Sequence, residues 1–276
     1  MRSLSQDKAN KSSNDKEISI ELSSGELWFL LQQFSPAAIL GMKNPHLGWF
    51  IEEIEEADRN ALRSLVDREI VRIASKNQIE FDDVLASMIR TCAHPQHTLI
   101  SQFQNSTGAN RQRYIHFGNN LIVEHVEFKR GHHRLTALKD RDALLERLDE
   151  VLRLSSTASS RGGKFHLPEQ ALFDARTLCS QGHARKALSD LKKAKLADEK
   201  ASLLAKALTD PVANSAFAML CNQSQPQIQN VKGFALLEGK ENFWILMPFD
   251  KNGDKMVEFI PASTKLVKQR FLEILP

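Results

Sequence analysis

Ser155-Ser156-Thr157-Ala158-Ser159-Ser160-Arg161-Gly162-Gly163 is the stretch on which the fold turns. These nine residues read as a linker, because they are small, polar and flexible and carry no apolar period. Outward from it the chain divides into residues 18–154 and 164–276. Residues 1–17, MRSLSQDKANKSSNDKE, are polar and mixed in charge and read as a disordered tail.

The two parts run through the same series of signals. Each opens with a short alternating strand entering a helix. In the first this is Ile18 to Leu22, then Ser23-Ser24-Gly25-Glu26-Leu27. Ser23 or Ser24 can cap that helix, and Glu26 lies where a capping box needs it. In the second it is Lys164 to Leu167, then Pro168-Glu169-Gln170-Ala171-Leu172, with Pro168 suited to a first helical turn. Apolar spacing predicts two further helices in each part: Asp58 to Ile73 and Phe81 to Thr91, then His183 to Leu196 and Asp198 to Leu208. Alternating runs follow. His97–Phe103, Arg113–Phe117 and Leu121–Phe128 are answered by Ser215–Leu220, Lys232–Leu237 and Phe243–Phe249. Each part closes on a strand and a helix, His133–Leu138 with Asp140–Leu148 and Lys255–Ile260 with Pro261–Leu275; Asp140 and Ser263 stand at N-cap positions. The order β-α-α-α-β-β-β-β-α therefore occurs twice. The first copy carries an extra stretch, roughly Phe34 to Glu53, rich in Pro, Gly and aromatics.

Composition narrows the function classes. The chain has 276 residues, 42% hydrophobic and 26% charged, which excludes a disordered, collagen-like or disulfide-stapled protein. Lys plus Arg number 37 against 34 Asp plus Glu, a net charge of +3, so no overall basic field draws the chain to nucleic acid or an anionic membrane. No apolar run is long enough to span a bilayer, and the polar N-terminus lacks the apolar core of a signal peptide. Cys92, Cys179 and Cys221 form no CxxC pair and fit free, buried thiols in a reducing cytoplasm.

Motifs for chemistry are missing. His94-Pro95-Gln96-His97 and His132-His133 lack the converging Cys or carboxylate partners of a zinc site, so they read as surface or loop histidines. Asp250-Lys251-Asn252-Gly253-Asp254 has its glycine in the wrong place for a calcium loop and reads as a hairpin turn. Glu52-Glu53-Ile54-Glu55-Glu56 reads as the solvated start of a helix. With 12 glycines and no phosphate-binding or nucleophile-elbow pattern, the expectation is no enzyme, no cofactor, no metal and no small-molecule ligand.

Two surfaces could still bind macromolecules. Two short helices before a hairpin suggest a winged helix, and His183-Ala184-Arg185-Lys186 with Lys192, Lys193 and Lys195 is locally basic. Asp190, Asp198 and Glu199 interrupt it, so nucleic acid is the second expectation, not the first. The extra stretch carries Trp49 and Phe50, an aromatic pair in a connection long enough to be functional, and is read as a partner site.

The doubled layout, the opening LSSGELWFLL and the endings HRLTALKDRDALLERLDEVL and VEFIPASTKLVKQRFLEILP resemble the EspG family, cytoplasmic chaperones of type VII secretion. The resemblance spans residues 18–276; the tail and the stretch Phe34 to Glu53 are extra to it. It implies an internally duplicated α+β fold, with a central antiparallel sheet of pseudo-twofold symmetry flanked by helical bundles. It implies no catalysis, and a helical PE/PPE-type secreted partner held soluble for export. One binding element of the family is the loop after the second strand. The matching segment here is Gln104, Asn105, Ser106, Thr107, Gly108, Ala109, Asn110, Arg111 and Gln112. A structural subunit of another assembly is the third expectation.

Overall fold

The computed structural model describes residues 17–36, 39–74, 78–105, 110–152, 163–221 and 232–276. The expected tail and linker, apart from Glu17 and Gly163, lie outside the described residues. In chain order the first part holds β1 (Ile18–Ser23), α1 (Ser24–Gln32), α2 (Ile51–Asp67), β2 (Val71–Ile73), β3 (Ile79–Phe81) and α3 (Asp83–Ala93). It continues with β4 (His97–Asn105), β5 (Asn110–Phe117), β6 (Ile122–Lys129), β7 (His132–Leu138) and α4 (Arg141–Leu152). The second part holds β8 (Phe165–Pro168), α5 (Glu169–Ser180), α6 (Ala184–Lys193) and α7 (Asp198–Thr209). It ends with β9 (Ala213–Cys221), β10 (Lys232–Glu238), β11 (Phe243–Lys251), β12 (Asp254–Pro261) and α8 (Thr264–Ile274).

Ten strands form one antiparallel sheet in the order β1-β7-β6-β5-β4-β9-β10-β11-β12-β8. Read outward from the β4–β9 pair, the two parts follow the same strand order. The register matches as well: β4 and β9 both have nine residues, and Ser101, the fifth of one, faces Phe217, the fifth of the other. Hydrogen bonds at the sheet's ends recur. Gln96 N–H donates to the Phe117 carbonyl at 2.8 Å, and Val212 N–H to the Glu238 carbonyl at 2.7 Å. Gly118 and Gly239 open the turns after β5 and β10, and each lets a helix come close. A Cβ on Gly118 would stand 2.7 Å from Thr91 of α3, and one on Gly239 would stand 2.8 Å from Ala207 of α7.

Local chemistry accounts for the element ends. Ser23 accepts from the Glu26 amide at 3.2 Å while Glu26 accepts from the Ser23 amide at 2.7 Å, the reciprocal box expected at α1. The buried Glu26 carboxylate also takes the Ser64 hydroxyl at 2.7 Å and Arg68 Nη1 at 2.9 Å, so the cap ties α1 to α2. Burial works to raise its pKa, but the Ser23 amide, Ser64 and Arg68 outweigh that and hold it below the ordinary carboxylate value. Asp140 and Ser263 cap α4 and α8 as expected. Asn252 and Gly253 take φ of 53° and 89° in the β11–β12 turn, the left-handed pair a two-residue hairpin demands.

Three expected boundaries change. The helix read as Asp58 to Ile73 begins at Ile51 and stops at Asp67, and the helix read from Phe81 begins at Asp83, capped by Asp82. Glu69 turns left-handed, φ 57°, and Val71–Ile73 pairs with Ile79–Phe81 as a small separate sheet. Ile70 and Ile73, read as helical, belong to this reversal.

One face of the large sheet carries α4 and α8 over a single core drawn from both parts. Leu99, Ile115, Leu138 and Leu144 meet Phe217, Phe234, Ile245 and Phe271 there. The other face carries two separate cores. α1, α2 and α3 cover Leu22, Val123 and Leu135, while α5, α6 and α7 cover Leu167, Trp244 and Phe259. Cys92 and Cys179 are buried free thiols within these two, as expected; the side chain of Cys221 in β9 lies outside the description.

Candidate functional site

Among the described residues no helix of the two layers packs on the middle of the sheet. Alternation along β4, β5, β9 and β10 puts Ile100, Gln102, Gln112, Ala216, Ala218, Gly233 and Ala235 on that face, and none belongs to either core. Gln102 and Ala216, paired across β4–β9, are exposed. The result is a shallow saddle floored by small and amide side chains with Ile100 among them, and with helices for walls.

At the β5–β6–β7 end lies a cleft of about 1720 Å3 whose lining comes from both sheet faces, Gln112, Tyr114 and His133 from the saddle's face and Arg113, Glu124, Arg134 and Thr136 from the face under α4. Its lining joins two stretches that the sequence singled out separately. Asn110, Arg111 and Gln112 at the start of β5 lie on one side, and Gly41 to Pro45 of the extra stretch on another. Six cationic side chains, Lys43, Arg111, Arg113, Arg130, Arg134 and Arg147, face three acidic ones, Glu17, Glu124 and Glu127. Arg113 pairs with Glu124, Arg147 with Glu17, and Arg134 with Glu21 at 2.6 Å. Lys43, Arg111 and Arg130 make no ion pair among the described residues. Cationic side chains therefore outnumber acidic ones in the cleft's lining.

Behind the cleft lies a histidine ladder. Thr98 Oγ1 meets His116 Nδ1 at 3.1 Å, the His116 and His125 rings stack 6.0 Å apart, and His125 Nε2 meets His133 Nδ1 at 3.0 Å. Ser24 Oγ closes the series on His133 Nε2 at 3.0 Å. Burial pushes the His116 pKa down to about 4. Burial, with His116 and His133 beside it, takes His125 down to about 3 against the Leu40 backbone. His133 is lowered too, by burial, with Glu127 opposing and His132 adding. His133 is thus a buried ladder member and not the surface histidine expected; its strand register, invisible in the His132-His133 dipeptide, turns it inward. Among the described residues no group of three or more His, Cys, Asp or Glu is placed to hold a metal ion.

The remaining expected site residues divide as follows. Gln104 and Asn105 end β4, paired with Asn214 and Ala213. Ser106, Thr107, Gly108 and Ala109 lie outside the described residues. Trp49 and Phe50 are 49% and 75% exposed, and with Leu47 at 83% and Ile51 at 72% they form an apolar knob. They do not line the cleft. Arg113, Arg134 and the histidines went unread because each is one residue per strand, gathered only by cross-strand register, and Arg147 reaches them from α4. The hairpin expected as a winged-helix wing is β9–β10, which lies at the middle of the ten-stranded sheet and is not free to enter a groove of DNA.

No protein-family model and no curated protein matches the chain. Among solved structures it is similar to the Mycobacterium tuberculosis type VII secretion system chaperone EspG5, in its complex with the PE25-PPE41 dimer. The TM-score is 0.65 at 12% identity, over 94% of this chain and 97% of that one. The chain has the EspG fold. The expected architecture, a mixed fold around a large antiparallel sheet with flanking helices, is therefore found, and the likeness runs through both parts. It is a likeness of fold, so the EspG side-chain chemistry does not come with it. Among the described residues of this EspG fold no helix is long and apolar enough to cross a membrane.

Proposed function

We propose that this chain is a non-catalytic cytoplasmic binding protein that keeps a helical secreted protein of PE/PPE type soluble for type VII export. The single observation that carries the reading is the match to EspG5 over nearly the full length of both chains, since that chaperone was solved holding a PE25-PPE41 dimer. The open saddle supports it: a sheet face left bare between two helical layers is surface withheld from the core and available to a partner. Gln104 and Gln112, on the ends of β4 and β5, border the saddle, and the segment Gln104 to Gln112 is the contact we assign to that partner, with Trp49 and Phe50 as a second. We also read the matched strand order as the mark of an internal duplication with pseudo-twofold symmetry.

Co-expression with PE/PPE-type pairs from the same genome tests the reading. One pair should become soluble only with this chain and elute with it in equal amounts. Arg111→Glu combined with Gln112→Glu should weaken that complex about tenfold, an ordinary loss for two contact residues. If every pair is as soluble alone as with the chain, the export role is wrong.

A further inference from the structure

The first part departs from the second at three buried histidines and in one connection, and the two departures touch. Counted from the matching Gly118 and Gly239 turns through the paired strands, His116, His125 and His133 fall where the second part has Leu237, Leu246 and Val257. Those three pack in the core beneath α5, α6 and α7. Imidazoles in such places forgo apolar burial and need polar partners. The connection that differs joins α1 to α2. It runs through residues 33–50, where Gln181, Gly182 and His183 suffice between α5 and α6.

The longer connection sits on the histidines. The Leu40 backbone hydrogen-bonds the His125 ring and favours its protonated form, so the Leu40 carbonyl is the acceptor. Gly41, at φ 85°, lies close on the strands: a Cβ there would stand 2.5 Å from Tyr114 Cδ2 and 2.9 Å from His125 Nδ1. Nδ1 is the nitrogen left for Leu40, because His125 Nε2 faces His133 Nδ1 at 3.0 Å. A neutral imidazole donates at one nitrogen and accepts at the other. The series therefore runs one way: the Ser24 hydroxyl donates to His133, His133 to His125, and His125 to Leu40. It is complete with both rings neutral, and two added protons would set N–H against N–H. From this seat the chain is held as far as the knob. The His46 amide donates to Asn44 Oδ1 at 2.8 Å, the Trp49 amide to His46 O at 3.1 Å, and the Phe50 amide to Glu53 Oε2 at 2.8 Å.

We propose that residues 39–50 form a strap latched on the His125–His133 pair, that mild acid unlatches it, and that the knob at Trp49 and Phe50 is displaced with it. Lifting the strap takes Leu40 and Gly41 off the His125 ring and lets water reach it. The open state then binds a proton that the closed state refuses, since His125 under the strap has a pKa of about 3 against 6.5 for a ring in water. Closure is complete above pH 6.5 and weakens as pH falls below it. The titratable and charged groups around the pair are His116 and Tyr114 of β5, Glu127 of β6, His132 of β7 and Lys43 of the strap; β1 and α1 bring Leu22 and Ser24. His116 and His133 both oppose a proton on His125, whereas Glu127 favours one on His133, so His125 is the sharper control. The latch belongs to the free chain and does not rest on the chaperone reading.

Hydrogen exchange of the full chain at pH 7.5 and pH 5.5, read by mass spectrometry and corrected for the intrinsic pH dependence of exchange, tests the latch. Protection within residues 39–50 should fall about tenfold, the factor by which one ring titrating at 6.5 favours the open state at pH 5.5. Protection in β4 and β9 should hold. His125→Gln keeps a donor for Leu40 and an acceptor for His133 but takes up no proton in this range, so its strap should stay closed at both values. His125→Leu, the side chain that the second part carries there as Leu246, should open the strap at both. Gly41→Ala should do the same by contact with Tyr114. Circular dichroism of all three should match the wild type. Equal protection of the wild-type strap at the two pH values overturns the proposal, as does an equal fall in His125→Gln. A loss shared by β4 and β9 overturns it too, since the whole chain then opens and no latch is separate. So does a strap that stays closed in His125→Leu or Gly41→Ala.

Discussion

His116 and His125 are imidazoles kept neutral by the fold, and that has a sign. Their folded pKa values, about 4 and about 3, lie below the 6.5 of the unfolded chain, so between these limits the unfolded state binds more protons. Stability they contribute is complete above pH 6.5 and is lost as pH falls toward the folded values. By pH 5 each costs about 2 kcal/mol relative to pH 7.5, from the width of the interval crossed. Urea midpoints should fall between pH 7.5 and pH 5 and stay level between pH 7.5 and pH 8.5. In His125→Gln the fall should be smaller; equal midpoints at pH 7.5 and pH 5 in the wild type would show that the ladder is not held neutral. None of this was legible in the dipeptide His132-His133. The ladder draws one ring from each of β5, β6 and β7, and only the register Tyr114↔His125 and Glu127↔His133 puts them on one face. The capping box at Ser23 and Glu26, by contrast, spans four residues and was readable in full.

Elements were legible where their signals were local. The N-caps Ser23, Asp140 and Ser263 and the Asn252-Gly253 turn are set by hydrogen bonds within a few residues. The end of α2 was not, because its stop is a left-handed Glu69 where a glycine would have announced it. Arg68, the C-cap residue, is held by Glu26 from α1, a contact 42 residues distant in sequence. Tertiary pairing ended that helix, and Ile70 and Ile73 then fitted either period. The turns at Gly118 and Gly239 give the element-scale prediction. An added Cβ at Gly239 meets Ala207 Cβ at 2.8 Å and Ala207 Cα at 3.2 Å, so α7 must move off the β10–β11 turn. Gly239→Ala should cost about 1–3 kcal/mol, in the range of overpacking, measured by urea unfolding. Gly253→Ala makes the contrast: open space surrounds that position, and the penalty there is one of backbone φ alone.

The whole molecule is held at its middle. β4 and β9 pair along nine residues, and the core beneath α4 and α8 takes side chains from both parts. A half expressed alone would expose a long unpaired edge and half of that core. Residues 18–154 and 164–276 made separately should therefore aggregate, and co-expression should return a soluble complex; two soluble, cooperatively folding halves would contradict a shared core. The sequence by itself determined most of the strands and helices, their caps and turns, and which positions alternate inward, because hydrogen bonds and periods of 2 and 3.6 act over a few residues; the β2–β3 pair between α2 and α3 escaped it. It also carried the likeness that the EspG5 comparison later matched in fold. Only the tertiary structure decided that five strands from each part make one sheet and that Asn110 of β5 and the stretch at Gly41 line one cleft. These depend on register and packing between residues far apart in the chain, where no local period reaches.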